Sequence, residues 1–235
     1  MKRARFGPLD VVLAGGTDRE GGGDGPLVVL MHGFGASGDD LVGLYRVLGV
    51  DRAVRFAFPA APHALPGMFG ARAWWEIDMA AVERALSSGQ PRDLTHELPP
   101  GLTGAHDAVV AMLDALQAEL GVTDAQTVLG GFSQGSMLAC DVTFAGGRDF
   151  AGLAVLSGTL LASERWVPGM AARRAVPVFQ SHGTSDAMLG FGFAERLRDE
   201  LTNAGCSVQF VPFRGGHEIP MDVLKSFEAF LQRVL

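Results

Sequence analysis

The sequence predicts one α/β domain, in which a mostly parallel central sheet carries helices on both faces. Hydrophobic residues make up 48% of the 235 residues and charged residues 19%, which is globular composition with enough apolar material for a core. Short apolar runs alternate with longer helix-like stretches, and this alternation is typical of parallel sheets covered by helices. The Gly-rich stretch 21–25 lies too early in the chain to link two domains. We therefore expect a single domain over residues 1–235.

Strands are predicted where apolar runs are short and are bounded by turn residues. Leu27–Met31 is a continuous apolar run that ends in Gly-rich sequence, as expected for a strand buried on both faces. The other predicted strands cover residues 53–58, 127–130, 151–156, 176–180 and 207–213.

Six helices are predicted, over residues 39–48, 76–87, 104–120, 134–144, 191–204 and 220–234. In the third of them, apolar residues recur every three or four positions, and Gly121 ends the pattern. The fourth is apolar nearly all round, which indicates a helix in the middle of the protein.

Two stretches do not fit the alternation of strands and helices. Residues 1–25 form a peripheral N-terminal segment without a motif that we can assign. Residues 59–103 form a long excursion rich in Pro and Gly, and long excursions are usually functional covers or disordered segments. Because this one contains Trp74 and Trp75, we expect an ordered cover near the active site.

The charge and the cysteines limit the classes of partner and the compartment. A formal net charge of −7 and a pI near 5.3 make nucleic acid and anionic membranes poor partners. The basic start Met1–Arg5 is followed by too short an apolar run for a signal peptide, and no run is long enough for a transmembrane helix. Cys140 and Cys206 show no metal or redox spacing and lie in apolar segments. We expect buried free thiols and a cytoplasmic protein.

The segment Gly131–Gly135 reads Gly-Phe-Ser-Gln-Gly and matches the G-x-S-x-G pattern. In a nucleophile elbow, a sharp turn between a strand and a helix lifts the serine hydroxyl above the sheet. The turn crowds the residues two before and two after the serine, and glycine relieves this crowding because it lacks Cβ. An ordinary Gly-rich loop would also match the pattern. The predicted strand before it and the buried helix after it favour Ser133 as a nucleophile.

A serine nucleophile needs a base, and the base needs an acid that orients it. In nucleophile-elbow enzymes the order along the chain is Ser, acid, His. Only His182 and His217 follow Ser133, and His217 lies in a Gly-rich turn between the last strand and the last helix. The order therefore predicts His217 as the base and Asp186 as the acid.

Three other carboxylates compete with Asp186 for the role of the acid. Glu164 follows the predicted strand 151–156, a place where some proteins of this class carry the acid. Asp141 lies on the central helix and Asp149 on a connection, so both are weaker alternatives.

Acyl transfer also needs two N–H donors for the developing oxyanion. One is expected to be the amide of the residue after the nucleophile, Gln134, and the other an amide of the loop after the early buried strand, for which Phe34 is the best candidate. The same loop, Gly33–Gly38, matches the dinucleotide pattern G-x-G-x-x-G. That alternative requires an acidic residue at the end of the next strand, where Phe58–Pro62 contains none.

The combination of motifs resembles the phospholipase/carboxylesterase family of α/β-hydrolases, which includes the acyl-protein thioesterases. The resemblance covers about residues 26–234 and is carried by His32–Gly35, Pro59–Pro62, Trp74–Asp78, Gly131–Gly135, His182–Asp186 and Gly216–Ile219. It implies an α/β-hydrolase fold without a large lid domain, and hydrolysis of esters or thioesters without a metal or an organic cofactor. It also supports Ser133, Asp186 and His217 as the triad and the amides of Phe34 and Gln134 as the oxyanion hole.

The sequence departs from the family pattern at positions that bear on the choice of substrate more than on the reaction catalysed. The family often has Leu in place of Phe34, and Val-Pro in place of Leu189-Gly190. The candidate substrate-binding residues are Trp75, Trp74, Met68 and Leu189. Alternatively, the tryptophans and Met68 only pack the excursion onto the body of the protein.

The sequence thus predicts a serine hydrolase that acts on carboxylic esters or thioesters with small to medium acyl groups, of the carboxylesterase or lysophospholipase type. An acyl-protein thioesterase, an acyltransferase or a peptidase could use the same residues. A binding protein that kept the fold and lost the chemistry is less favoured, because such proteins typically break the triad. The expected partner is a small-molecule substrate, and a homodimer is implied by the resemblance only.

Overall fold

The computed structural model describes residues 1–235 and contains ten strands and seven helices. The strands are β1 (Lys2–Phe6), β2 (Leu9–Gly15), β3 (Leu27–Met31), β4 (Arg55–Pro59), β5 (His63–Ala64), β6 (Arg72–Ala73), β7 (Thr127–Phe132), β8 (Gly152–Leu156), β9 (Val178–Gly183) and β10 (Val208–Phe213). The helices are α1 (Leu44–Val47), α2 (Met79–Ser88), α3 (Leu102–Leu120), α4 (Gln134–Phe144), α5 (Ser163–Met170), α6 (Phe191–Asn203) and α7 (Met221–Val234). Short 3₁₀ turns cover Asp40–Gly43, Asp124–Gln126 and Ala171–Arg173.

Eight of the strands form one sheet in the order β1-β2-β4-β3-β7-β8-β9-β10. All neighbours from β4 to β10 are parallel, whereas β1 pairs with β2, and β2 with β4, in antiparallel fashion. The carboxyl ends of parallel strands share one edge of the sheet, and ligands of open α/β sheets bind outside that edge. Loops that follow β3, β7, β9 and β10 therefore meet in one place.

Helices cover both faces of the sheet, and the predicted α/β fold class is confirmed. The apolar sides of α1 and α7 pack on one face, and α3, α4, α5 and α6 pack on the other. Every residue of α4 is buried, as its all-round apolar sequence predicts. None of the seven helices combines the length and the apolar composition needed to cross a bilayer.

The N-terminal segment is more structured than the sequence indicates. No element is predicted for residues 1–25, but they contribute β1 and β2 to the edge of the sheet. Leu9, Val11 and Leu13 of β2 join the core, which places this strand inside the fold rather than on its periphery. The predicted helix 39–48 is also different, since it divides into a 3₁₀ turn and the single turn α1.

The excursion 59–103 contains the β5–β6 hairpin and α2. The carboxylate of Asp78 caps the start of α2 by accepting the Ala81 amide at 3.0 Å, and Gly89 ends the helix in the left-handed conformation. No residue of α2 is buried. The helix therefore stands on the surface as a cover, and its apolar side is free to border a cavity.

Both cysteines are buried free thiols, as predicted. Burial raises the pKa of Cys140 and of Cys206, so neither forms the thiolate that a cysteine nucleophile requires.

Candidate active site

A sharp turn between β7 and α4 carries Ser133. The serine has φ 54° and ψ −121°, a backbone conformation that residues other than glycine rarely adopt. A Cβ atom on Gly131 or on Gly135 would overlap the carbonyl oxygen of Met31 on the neighbouring strand. The two glycines thus allow the close approach that the turn requires, and α4 begins at the very next residue, Gln134.

The structure brings Ser133, His217 and Asp186 into one hydrogen-bonded chain. Nδ1 of His217 lies 2.7 Å from Oδ2 of Asp186, and Nε2 lies 2.8 Å from Oγ of Ser133. A carboxylate only accepts, so Nδ1 carries the proton and Nε2 is free to accept from the serine hydroxyl. The ring of Phe132 packs on the imidazole with the ring centroids 4.8 Å apart. This is the arrangement in which a histidine can take the proton of an attacking serine.

Asp186 is fully buried and held by several donors. Oδ1 accepts the amides of Met188 and Leu189, both at 2.9 Å. Nε2 of His182 lies 2.6 Å from the carbonyl oxygen of Leu189 and 3.3 Å from Oδ2 of Asp186. Burial acts to raise the pKa of Asp186, but the hydrogen bonds with His182, His217 and the Leu189 amide outweigh it and hold this pKa well below its usual range. The side chain is therefore a carboxylate at neutral pH and can fix the orientation of the imidazole.

The loops that carry the acid and the base dock onto each other. The Ser185 amide donates to the carbonyl oxygen of Gly215 at 2.9 Å. A Cβ atom on Gly183 would overlap the carbonyl oxygen of Gly216. From the end of β8, the Ser157 hydroxyl donates to the carbonyl oxygen of Glu218 at 3.2 Å. These contacts set the distance between the acid and the base.

Two amides beside Ser133 are free to bind an oxyanion. The Phe34 N–H has no backbone acceptor within the protein. Gln134 is the first residue of α4, where N–H groups have no intrahelical acceptor and the helix dipole is positive. Phe34, Gln134 and Ser133 line the same cavity. Both residues predicted to supply oxyanion donors therefore border the cavity that contains Ser133.

The cavity above Ser133 has a volume of about 350 Å³. It is bordered by α2, by residues 186–189 (the acid loop) and by Gly33–Gly38 (the oxyanion loop). Its apolar lining includes Trp75, Ile77, Met79, Val82, Leu86, Leu94, Met137, Leu161 and Leu189. A mostly apolar lining with a smaller number of polar groups is typical of sites that bind small molecules. The cavity therefore offers an apolar lining beside the Ser133 hydroxyl.

Two of the four predicted substrate-binding residues line the cavity and two do not. Trp75 and Leu189 are part of its wall. Trp74 is fully buried elsewhere, and its indole N–H donates to the carbonyl oxygen of His32 at 2.9 Å. The two tryptophans lie in a bend after β6, and of the two only Trp75 lines the cavity. Met68 lies in the β5–β6 turn and is 54% exposed. The assignments of Trp74 and Met68 are therefore corrected.

The alternative acids all have other partners. Glu164 lies on the surface with one oxygen 2.7 Å from Nδ1 of His96, and Asp149 forms an ion pair with Arg173 at 3.3 Å. Asp141 is buried among donors from neighbouring helices. Of the four carboxylates, Asp186 is the one that hydrogen-bonds His217.

The loop Gly33–Gly38 differs from a dinucleotide-binding turn. Its backbone pairs with β6, since the Gly35 amide donates to Arg72 O at 2.9 Å and the Arg72 amide to Ala36 O at 3.0 Å. The next elements along the chain are a 3₁₀ turn and the four-residue α1, rather than the long helix whose N-terminus would hold a pyrophosphate.

The side chain of Gln134 has a role that the sequence does not show. Its Oε1 accepts the Trp74 amide and its Nε2 donates to Trp75 O, each at 2.9 Å. The residue after the nucleophile therefore fastens the excursion to the elbow and holds the Trp75 wall in place. Gln134 distinguishes this motif from G-x-S-x-G in general. The sequence does not show its hydrogen-bond partners, because they lie some sixty residues earlier in the chain.

A serine, a histidine and a carboxylate at the carboxyl edge of this sheet define an α/β-hydrolase. Residues 21–235 match the family described as Phospholipase/Carboxylesterase, and the chain belongs to that family. It is 29% identical to a probable carboxylesterase of Oryza sativa subsp. japonica, over 99% of this chain and 84% of that protein. It is 25% identical to acyl-protein thioesterase 1 of Neurospora crassa, over 87% of this chain and 84% of that protein. The crystal structure of esterase PE8 is similar with a TM-score of 0.81 and 28% identity, over 97% of this chain and 99% of that one.

Proposed function

We propose that this protein is a serine-dependent carboxylic ester hydrolase that cleaves esters or thioesters through an acyl-enzyme on Ser133. The observation that carries the proposal is the continuous chain of hydrogen bonds from Asp186 through His217 to Ser133, at one end of an apolar cavity. Membership of the family and its carboxylesterase and thioesterase relatives support the same class of reaction.

In the acylation half-reaction, Oγ of Ser133 attacks the carbonyl carbon of the substrate while Nε2 of His217 takes the hydroxyl proton. The carbonyl oxygen becomes an oxyanion and accepts hydrogen bonds from the amides of Phe34 and Gln134. The tetrahedral intermediate then collapses, and His217 gives its proton to the departing alcohol or thiol. The acyl chain stays on Ser133 with its tail along Trp75.

In the deacylation half-reaction, a water molecule gives a proton to His217 and attacks the acyl carbon. A second tetrahedral intermediate releases the carboxylic acid, and the proton returns from His217 to Ser133. Asp186 stays ionised throughout and stabilises the imidazolium, as its lowered pKa allows.

The walls of the cavity favour small to medium acyl groups of the carboxylesterase or lysophospholipase type. Phe34 lines the cavity where the family often has leucine, and its larger side chain leaves less room for the acyl group. A thioesterase is the second candidate, because several relatives are called acyl-protein thioesterase 1. An ester series from acetyl to palmitoyl, run beside the matching thioesters and with alcohol or amine acceptors, separates hydrolase, thioesterase and acyltransferase.

Replacing Ser133 by alanine tests the function directly. We expect Ser133→Ala to lower kcat on p-nitrophenyl esters by on the order of 10⁶, because the nucleophile of the acyl-enzyme is lost. The matched control is Ser87→Ala, which removes an exposed serine of α2 and should leave kcat unchanged. Activity of Ser133→Ala within about tenfold of the wild type would contradict the proposal.

We also propose a cytoplasmic protein that binds no nucleic acid. The net charge of −7 and the two buried free thiols support this placement. The resemblance to the family further suggests a homodimer, and sedimentation distinguishes it from the 24.7 kDa monomer.

A further inference from the structure

His32 is a buried histidine that the proposed mechanism does not use. It follows β3 directly, precedes the oxyanion loop and is 2% exposed. Nδ1 lies 2.8 Å from the carbonyl oxygen of Gly33, and Nε2 lies 3.0 Å from the amide nitrogen of Ala61.

The two partners of His32 require one tautomer. A carbonyl oxygen only accepts and an amide N–H only donates, so Nδ1 must carry the proton and Nε2 must present its lone pair. A protonated ring would point a second N–H at the N–H of Ala61. Burial lowers the pKa of His32, which agrees with a neutral ring.

The ring is fixed on its other sides as well. The Trp74 indole N–H donates to the carbonyl oxygen of His32 at 2.9 Å, and the two ring centroids are 5.5 Å apart. The Ala61 contact ties the ring to the segment that follows β4. His32 therefore has a fixed position from which its Nδ1–H can act on the oxyanion loop.

The bond from His32 to Gly33 determines where the Phe34 amide points. The Gly33–Phe34 peptide is trans, and in a trans peptide the C=O and the following N–H point in opposite directions. Holding Gly33 O against the imidazole thus turns the Phe34 N–H to the opposite side. The other donor to Gly33 O is the Ala36 amide at 3.3 Å, which is the longer of the two bonds.

We propose that His32 is a positioning residue of the oxyanion hole, whose neutral Nδ1–H tautomer holds the Gly33–Phe34 peptide with the Phe34 amide directed at the substrate carbonyl. His32 touches no reacting atom and acts only through this peptide. The inference rests on the proposed function, because it assigns a positioning residue to the same active site.

Two substitutions of His32 distinguish the role of Nδ1 from the role of Nε2. The side-chain amide of Asn can take the place of Nδ1 and donate to Gly33 O, whereas Gln reaches the place of Nε2 near Ala61 and cannot make that bond. We expect His32→Gln to lower kcat by about 10²–10³ with KM nearly unchanged, as for the loss of one oxyanion donor. His32→Asn should retain kcat within about tenfold of the wild type, since it restores the bond to Gly33.

A pair of inhibitors distinguishes positioning from a general structural effect. A trifluoromethyl ketone adds to Ser133 and forms an oxyanion in the hole, whereas the matching trifluoromethyl carbinol binds without one. His32→Gln should lower the affinity for the ketone by the same factor as it lowers kcat/KM. It should leave the affinity for the carbinol unchanged. Equal weakening of both ligands, or an equal loss of kcat in the Asn and Gln variants, would overturn the inference.

The wild-type protein offers a test that does not depend on the folding of a variant. The ¹⁵N shifts of labelled imidazole identify the tautomer, and we expect Nδ1–H at His32. An Nε2–H tautomer would overturn the inference. Failure of the proposed function gives a different result from failure of this inference. If the proposed function is wrong, Ser133→Ala remains active. If only the positioning role is wrong, Ser133→Ala is inactive and His32→Gln is fully active.

Discussion

At the scale of single residues, the site depends on backbone positions as much as on side chains. Ser133 keeps a strained φ of 54° that only a tightly determined turn can maintain. Gly130, just before the elbow motif, has a related role, because a Cβ atom there would lie 2.6 Å from the Cβ of Ala154 on β8. Three strands, β3, β7 and β8, and the first turn of α4 therefore converge at distances that larger residues would prevent.

A second buried carboxylate, Asp141, is important for stability rather than for chemistry. It lies on α4 with no exposed surface and accepts His106 Nδ1 at 2.7 Å, Arg165 Nε at 2.7 Å and the Trp166 indole at 2.8 Å. Burial acts to raise the pKa of Asp141, but these hydrogen bonds outweigh it and lower this pKa.

We expect Asp141→Asn to lower the free energy of unfolding by about 3 kcal/mol at pH 7, because it leaves buried donors without a charged acceptor. A carboxylate whose pKa is lowered in the folded state stabilises the protein above its unfolded pKa of about 3.9 and loses that effect as the pH falls. Urea denaturation should show a deficit that narrows only below about pH 4. A deficit that is equally large well below that pH would contradict the role of the charge.

At the scale of elements, α2 forms one wall of the cavity beside Ser133. Its apolar side borders the cavity, although the helix buries none of its residues. Gln134 holds the backbone of Trp74 and Trp75, a few residues before this helix. Because α2 is weakly packed, substitutions of its cavity-lining residues should cost the fold little stability.

Replacing Val82 on α2 should alter the preference for acyl length. We expect Val82→Asp to lower kcat/KM for an octanoyl ester by about tenfold or more, because a charge would then border the apolar wall. The acetyl ester has a much shorter acyl group and should be affected far less. The control is Glu83→Gln, on the neighbouring residue that does not line the cavity. Equal losses on both esters would contradict this role of α2.

Several elements could be predicted from the sequence because their patterns are local. The strand 27–31 and the helix 134–144 occur at the predicted bounds, since an apolar run between turn residues and an all-round apolar helix need no tertiary information. The sequence does not predict α5, because this helix contains Pro168, which argues against a helix. It does not predict β1 either, because β1 gains its stability from pairing at the sheet edge rather than from an apolar run. The apolar run of β2 is present in the sequence, but we consider it only as part of a signal peptide.

The candidate site was predictable where the order along the chain carries information. Ser133, Asp186 and His217 follow from the elbow motif and from the order of acid and base. The wall of the cavity does not, because whether Trp74 or Trp75 faces it depends on the hydrogen bonds that Gln134 makes across the fold. The contact of His32 with Ala61 likewise joins segments that only the folded chain brings together.

At the scale of the whole molecule, the topology of the sheet explains how distant residues meet. His217 and Ser133 are 84 positions apart in the chain, yet the parallel arrangement brings the carboxyl ends of β7, β9 and β10 to one edge. The oxyanion loop reaches the same edge from β3, which pairs directly with β7. The central claim is that Ser133 becomes acylated at this edge.

Mass spectrometry of the intact protein tests that claim most directly. The wild-type protein is treated with a fluorophosphonate, or rapidly quenched during turnover of a p-nitrophenyl ester, and the adduct is located by peptide mapping. We predict one adduct per chain, on the peptide that contains Ser133, and none in Ser133→Ala. An adduct on another residue, or an unmodified Ser133 in a protein that turns over the ester, would contradict the claim.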